Sequence, residues 1–153
     1  MKKSSKKFLA FSMITVAFIV ILLLYFKPLP LSDLIDENNE ISVIKVEAGI
    51  ENGKPYTNSI EYNDISNEQK NNMISLLEHY SYKRTFGTMI SDGSLPGRGA
   101  EREEIIYIFV YENDALVNRI KVSTTGDIAV NDKTYRLQSA SEFIDKLLEI
   151  ISN

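Results

Sequence analysis

Ser42-Val43-Ile44-Lys45 reproduces the Ser-x-x-Lys spacing in which a lysine one helical turn after a serine approaches its hydroxyl and activates it as a nucleophile. That chemistry needs both side chains on one face. The surrounding residues predict a strand, where positions three apart point to opposite faces, and no Ser-Asp-Asn or Lys-Thr-Gly string follows. The match reads as chance. His79, the chain's one histidine, could act as a general base, but no Gly-x-Ser-x-Gly string supplies a nucleophile elbow. Its place near the end of a predicted helix, whose negative terminus suits a histidine, points to a structural or surface role. Asp36-Glu37-Asn38-Asn39-Glu40 offers oxygen ligands for calcium without the spacing, central glycine or terminal glutamate of an EF-hand loop, and reads as a solvated linker. Glu101, Glu103 and Glu104 could supply the carboxylate pair of a glycoside-cleaving enzyme. Carboxylates are abundant in this chain, however, and the cluster does not by itself indicate one.

Tyr107, Phe109 and Tyr111 alternate as a platform for stacked bases or sugars would, a spacing that core packing explains more simply. Residues 83–102 hold Lys83, Arg84, Arg98 and Arg102 against Asp92 and Glu101, a basic stretch in an otherwise acidic region. Arg98 lies between Gly97 and Gly99, where folding has no need of an arginine, and arginine grips carboxylate or phosphate in a bidentate way. Arg98 and Arg102 are therefore the candidate partner contacts. The absence of cysteine excludes disulfides, thiolate zinc, a cysteine nucleophile and a lipid-bearing cysteine, and one histidine cannot make a two-imidazole metal site. No catalytic residue, cofactor or metal is expected.

The elements that must position these residues begin with an apolar stretch. Lys2, Lys3, Lys6 and Lys7 precede an uncharged run from Phe8 to Phe26 whose polar members are Ser12 and Thr15. A helix of that length spans roughly the 30 Å hydrocarbon core of a bilayer. Tyr25 and Phe26 would sit in an aromatic belt, and the lysine asymmetry predicts the N-terminus inside. This divides the chain into a cytoplasmic basic tail (1–7), a transmembrane signal anchor (8–26), a linker (27–40) and an extracytoplasmic domain (41–153). The rival reading is a cleaved secretory signal, which would leave the domain secreted. The run exceeds the usual hydrophobic stretch of a signal peptide, and Lys27-Pro28-Leu29-Pro30 offers no small-x-small site. Five of the 17 basic residues lie in 1–27 and all 21 acidic ones beyond, so the remainder carries 12 against 21, a net −9. Such a domain repels phosphate backbones, and no nucleic-acid partner is expected.

Within the domain, Ile41 to Glu51 and Lys54 to Tyr62 flank Asn52-Gly53, a hairpin signal, with Pro55 suiting an edge strand. Ser66-x-x-Gln69 opens a helix over about 67–81 with Met73, Leu76, Leu77 and Tyr80 along one stripe. Tyr82 to Ile90 reads as a strand and Ser91 to Gly99 as a mobile loop. Ile105 to Tyr111 is uninterrupted and apolar, predicting a central strand covered on both faces. Leu116 to Val122 alternates, with Leu116, Ile120 and Val122 inward. Ile128 to Val130 and Thr134 to Leu137 pair around Asn131-Asp132, and a second capping box, Ser139-Ala140-Ser141-Glu142, opens a helix to Ile151. The expected fold is α+β: an antiparallel sheet of about six to seven strands with two amphipathic helices on one face.

The basic anchor from Lys2 to Phe26, the strand-turn-strand from Gly126 to Leu137 and the Ser-x-x-Glu helix from Ser139 to Ile151 resemble small membrane-anchored extracytoplasmic proteins of unknown function from Gram-positive bacteria. That resemblance implies an extracytoplasmic domain and brings no activity with it. The functional expectation is a non-enzymatic binding or regulatory domain for a protein, peptide or envelope component. The alternatives are an envelope-acting hydrolase using carboxylates, or an immunity or regulatory subunit of another membrane protein. Replacing Arg98 and Arg102 with alanine should leave the thermal midpoint nearly unchanged and weaken capture of an envelope partner by about tenfold or more, since each charged hydrogen bond is worth roughly 1.5–3 kcal/mol. Undiminished pull-down would reduce the loop to a connection.

Overall fold

The computed structural model describes residues 2–35, 37–95 and 102–152, with the backbone alone for residues 2–10 and Arg102. The chain opens with helix α1 (Lys2–Tyr25). Among the described residues no helix is long and apolar enough to cross a membrane. The described side chains of α1 begin at Phe11, so the start of the expected run from Phe8 lies outside them.

Eight strands form one antiparallel sheet: β1 (Leu29–Pro30), β2 (Glu40–Glu51), β3 (Lys54–Tyr62), β4 (Ser81–Lys83), β5 (Arg102–Glu112), β6 (Ala115–Ser123), β7 (Asp127–Val130) and β8 (Lys133–Leu137). Their order is β1-β4-β8-β7-β6-β5-β2-β3. Helix α2 (Asn67–Glu78) carries the chain from β3 at one edge towards β4 near the other, and α3 (Ala140–Ser152) follows the β5–β8 meander. The α+β class and the antiparallel sheet agree with the sequence reading. The strand count does not, because Leu29–Pro30 pairs with Tyr82 and Ser81 at the sheet edge, where a proline costs no ladder bond.

One face of the sheet is the core. Ile41 and Val43 of β2, Ile106, Ile108 and Val110 of β5, and Ile120 and Val122 of β6 are buried in one cluster with Met73 and Leu77 of α2 and Phe143, Ile144, Leu147 and Ile151 of α3. The cluster also includes Leu31 and Ile35, from the stretch expected to be linker. Leu31 N donates to Tyr80 O at 3.1 Å, so the chain is tied into the domain well before residue 41.

Local chemistry explains most of the elements. Asn52 and Gly53 take φ of +52° and +75°, and Asn113 and Asp114 take +50° and +63°, as tight hairpin turns require. Ser66 and Gln69 form the expected reciprocal cap of α2. The second expected box does not form. Ser139 takes φ +54° rather than extended backbone, and the Glu142 carboxylate accepts from Lys146 Nζ at 2.7 Å. Leu116 is half-exposed instead of inward, because a register shift at Val110/Tyr111 changes the phase of the first part of β6. The expected strand to Ile90 stops at Lys83 and gives way to a 3-10 turn, Phe86–Met89.

β5 is paired on both sides, and Ile108 is wholly excluded from solvent. Ile108→Asp should cost several kcal/mol against a total stability of about 5–15 kcal/mol, because it buries a carboxylate without a partner. Urea unfolding would read this loss. Hydrogen exchange in β5 as fast as at Glu37 would show that β5 is not the centre of the fold.

Candidate functional site

The two candidate contacts are placed only in part. Arg98 lies outside the described residues, as does Glu101. Arg102 starts β5, its backbone opposite Gly49, and its side chain is outside the described part. The segment leading to them is docked rather than mobile up to Leu95. Thr88 Oγ1 donates to Thr134 O at 2.7 Å, Thr134 N to Ser91 Oγ at 2.9 Å, and Thr134 Oγ1 to Ser94 O at 2.9 Å. Lys121 Nζ and Lys133 Nζ reach the carbonyls of Gly93 and Ser91. Gly93 is buried at φ +76°, and a Cβ there would lie 2.6 Å from Asn131 O, so glycine lets the segment rest on the β7–β8 turn. The Ser94 hydroxyl and amide donate to Asp92 and hold its carboxyl below the usual range.

The other candidate groups separate. Ser42 Oγ donates to Asn63 Oδ1, while Lys45 pairs with Glu104 at 3.4 Å on the opposite face. Glu103 and Glu104 likewise face opposite sides of β5, and Glu103 accepts from Ser123 Oγ at 2.7 Å. Those two carboxylates do not converge on a common substrate. The Glu37 and Asn39 carbonyls accept from Lys70 Nζ at 2.6 and 3.3 Å, which pins a stretch expected to be solvated. Among the described residues no group of three His, Cys, Asp or Glu could hold a metal ion. Tyr107 and Phe109 stack with centroids 6.3 Å apart. They are half-buried on the face away from the helices, so their alternation is not packing of the main core.

His79 lies on a cleft of about 660 Å³ between α2 and α3, with Ser75, Leu76, Tyr80, Ser139, Glu142 and Lys146 around it. Its Nδ1 donates to Ser75 O at 2.8 Å, since a carbonyl can only accept, which directs the basic character of a neutral ring to Nε2. The Glu142 hydrogen bond, and its charge, hold the Lys146 ammonium above its ordinary pKa. The cleft thus joins an imidazole, an ion pair and several hydroxyls with the aliphatic side chains of Leu76 and Ile150. Such groups can hydrogen-bond a ligand; among the described residues no hydroxyl is hydrogen-bonded to His79 as a nucleophile would be to its base.

A chain of polar groups fastens the far ends of the meander strands. Ser123 Oγ donates to Glu103, Thr125 N to Ser123 Oγ at 3.2 Å, Thr125 Oγ1 to Asp127 Oδ2 at 3.4 Å, and Arg136 Nη1 to Asp127 Oδ1 at 2.9 Å.

No family model, curated protein or solved structure matches this chain. One feature of its surface departs from the sequence pattern. Phe86, Met89 and Ile90, expected in a strand, are 77%, 64% and 90% exposed on the 3-10 turn. Gly87 in the middle of the supposed strand was the available signal, since glycine weakens strand interiors.

Gly126 takes φ +92°, and a Cβ there would lie 3.2 Å from the Arg136 guanidinium. Gly126→Ala should cost about 1–3 kcal/mol through the left-handed backbone and the displaced arginine. Adding Arg136→Ala should remove the second part alone, which a double-mutant cycle in urea would separate.

Proposed function

We propose that this chain is a single-pass membrane protein of the small anchored extracytoplasmic kind, with a cytoplasmic N-terminus. Its α+β domain acts without catalysis, by binding a protein, peptide or envelope component. The observation that carries the reading is the character of α1. From Phe11 to Leu24 its side chains are exposed all round the helix, save partly covered Leu22. A helix that is hydrophobic all round belongs in an apolar solvent. Its one threonine is internally satisfied, Thr15 Oγ1 donating to Phe11 O at 3.0 Å, as a polar group in hydrocarbon must be.

Charge supports the orientation. The lysines at 2, 3, 6 and 7 lie in the first turns of α1, ahead of its apolar run, and all 21 acidic residues follow it. The binding part of the proposal is supported by the cleft beside His79, whose mixed polar and apolar lining suits recognition.

In intact cells, a cysteine at Asn153 should react with a membrane-impermeant thiol reagent and one at Ser4 should not. The reverse pattern would sink the topology. The mature mass should equal that of the full chain; loss of the first two dozen or so residues would convert the anchor to a cleaved signal.

A further inference from the structure

We propose that the turn from Phe86 to Ile90 is a second membrane contact, seated in the interfacial layer of the bilayer beside the point where α1 emerges. This rests on the anchored reading of α1. Three observations favour lipid as the occupant. The first is geometry. In a 3-10 turn residues three apart lie on one side, so Phe86 and Met89 project together, and Ile90 extends the same apolar surface. Three large apolar side chains this exposed within five residues form a patch rather than scattered surface residues.

The second is that the patch is held out rigidly. Thr88, on the inner side of the turn, is buried and donates to Thr134 O, while Thr85 N donates to Thr88 Oγ1 at 2.8 Å. Lys133 Nζ donates to the carbonyls of Met89 and Ser91 at 3.4 and 3.1 Å. The turn spends its polar groups on the sheet and keeps its apolar ones outward, the opposite of what a water-facing loop requires.

The third is continuity with α1. The Phe26 ring meets Phe86 edge-on with centroids 4.9 Å apart. Arg84 lies 5.3 Å over the Tyr25 ring, and its Nη1 donates to Tyr25 O at 3.3 Å. The turn therefore sits level with the aromatic end of the apolar helix, where side chains of this kind enter a bilayer surface. Arg84, bonded to Tyr25 O, and Lys133, bonded to Met89 O, place positive charge beside the turn and the helix end, where it favours the anionic headgroup layer. Strand β3, with Glu61 and exposed Asn58, is at the other edge of the sheet from β1, which follows the anchor.

The chain has no cysteine, so single labels are unambiguous. Full-length Leu23→Cys, Ile90→Cys and Asn58→Cys variants would be labelled with an environment-sensitive fluorophore. They would then be reconstituted in vesicles of phosphatidylglycerol and phosphatidylethanolamine, with or without acyl-chain spin labels. Leu23 and Ile90 labels should shift to the blue and lose most of their fluorescence to the spin labels, with no loss at Asn58. Quenching at Leu23 without quenching at Ile90 would overturn the second contact and leave the anchor standing. A blue shift at Ile90 that the lipid-borne quencher does not reduce would mean that protein, a second copy included, covers the patch, and would also overturn it. No quenching at either site would overturn the anchored reading as well. Ile90 is too exposed for its replacement to threaten the fold, so these outcomes read contact rather than stability.

Discussion

Burial of one face of β5 is the constraint on which the rest of the molecule depends. Ile106, Ile108 and Val110 are removed from water by α2, α3 and the neighbouring strands, and β5 is hydrogen-bonded on both flanks. Because side chains alternate along a strand, holding these three against Phe143 and Leu147 dictates which residues of β2 and β6 face inward as well. Val43 opposite Ile108 and Ile120 opposite Ile108 follow from that register. The helices are then confined to one side, and the crossover through α2 is how the chain reaches β4 on the far side of the meander.

The second face has no helix over it. The 86–95 segment covers part of β7 and β8 through hydrogen bonds to Thr134, and the Ser123–Thr125–Asp127–Arg136 chain fastens the strand ends. Net stabilisation per hydrogen bond is modest, but several on one segment hold it in one position. This is why Phe86, Met89 and Ile90 stand out instead of folding back: Thr88 occupies the inward place and is bonded there.

The two edges of the sheet are consequently unlike. The β1–β4 edge adjoins the end of α1, with Arg84 and Lys27 close by, whereas β3 carries the hairpin that begins at Asn52-Gly53. In the proposed orientation the cationic, aromatic edge meets the lipid, and the rest of the acidic domain extends away from it. The α2–α3 cleft lies on the helix-covered side and is therefore a separate surface from the turn.

How far the sequence reaches depends on the range of the interactions. The hairpins at Asn52-Gly53 and Asn131-Asp132, the Ser66–Gln69 cap, the central place of β5 though not its expected cover on both faces, and the helical stripes were legible because each is settled within a few residues by φ preference, capping geometry or periodicity. The opposition of Ser42 and Lys45 was legible for the same reason. What failed was long-range. Leu31 and Ile35 join the core through contacts with Tyr80 and its neighbours some fifty residues on, which no local pattern announces. Leu116 turned outward because a bulge changed its phase, and Ser139 gave up its capping box when the preceding strand delivered it in a left-handed conformation. The exposed turn belongs to the same class: Phe86-Gly87-Thr88-Met89-Ile90 has strand-like composition, and pairing of β4 with β8 ends at Lys83 and leaves those residues without a partner strand. Local chemistry determined most of the elements and the apolar run at the start of the chain by itself. Which apolar residues are buried and which are presented was decided by tertiary packing, because burial is a property of the neighbours that distant parts of the chain supply.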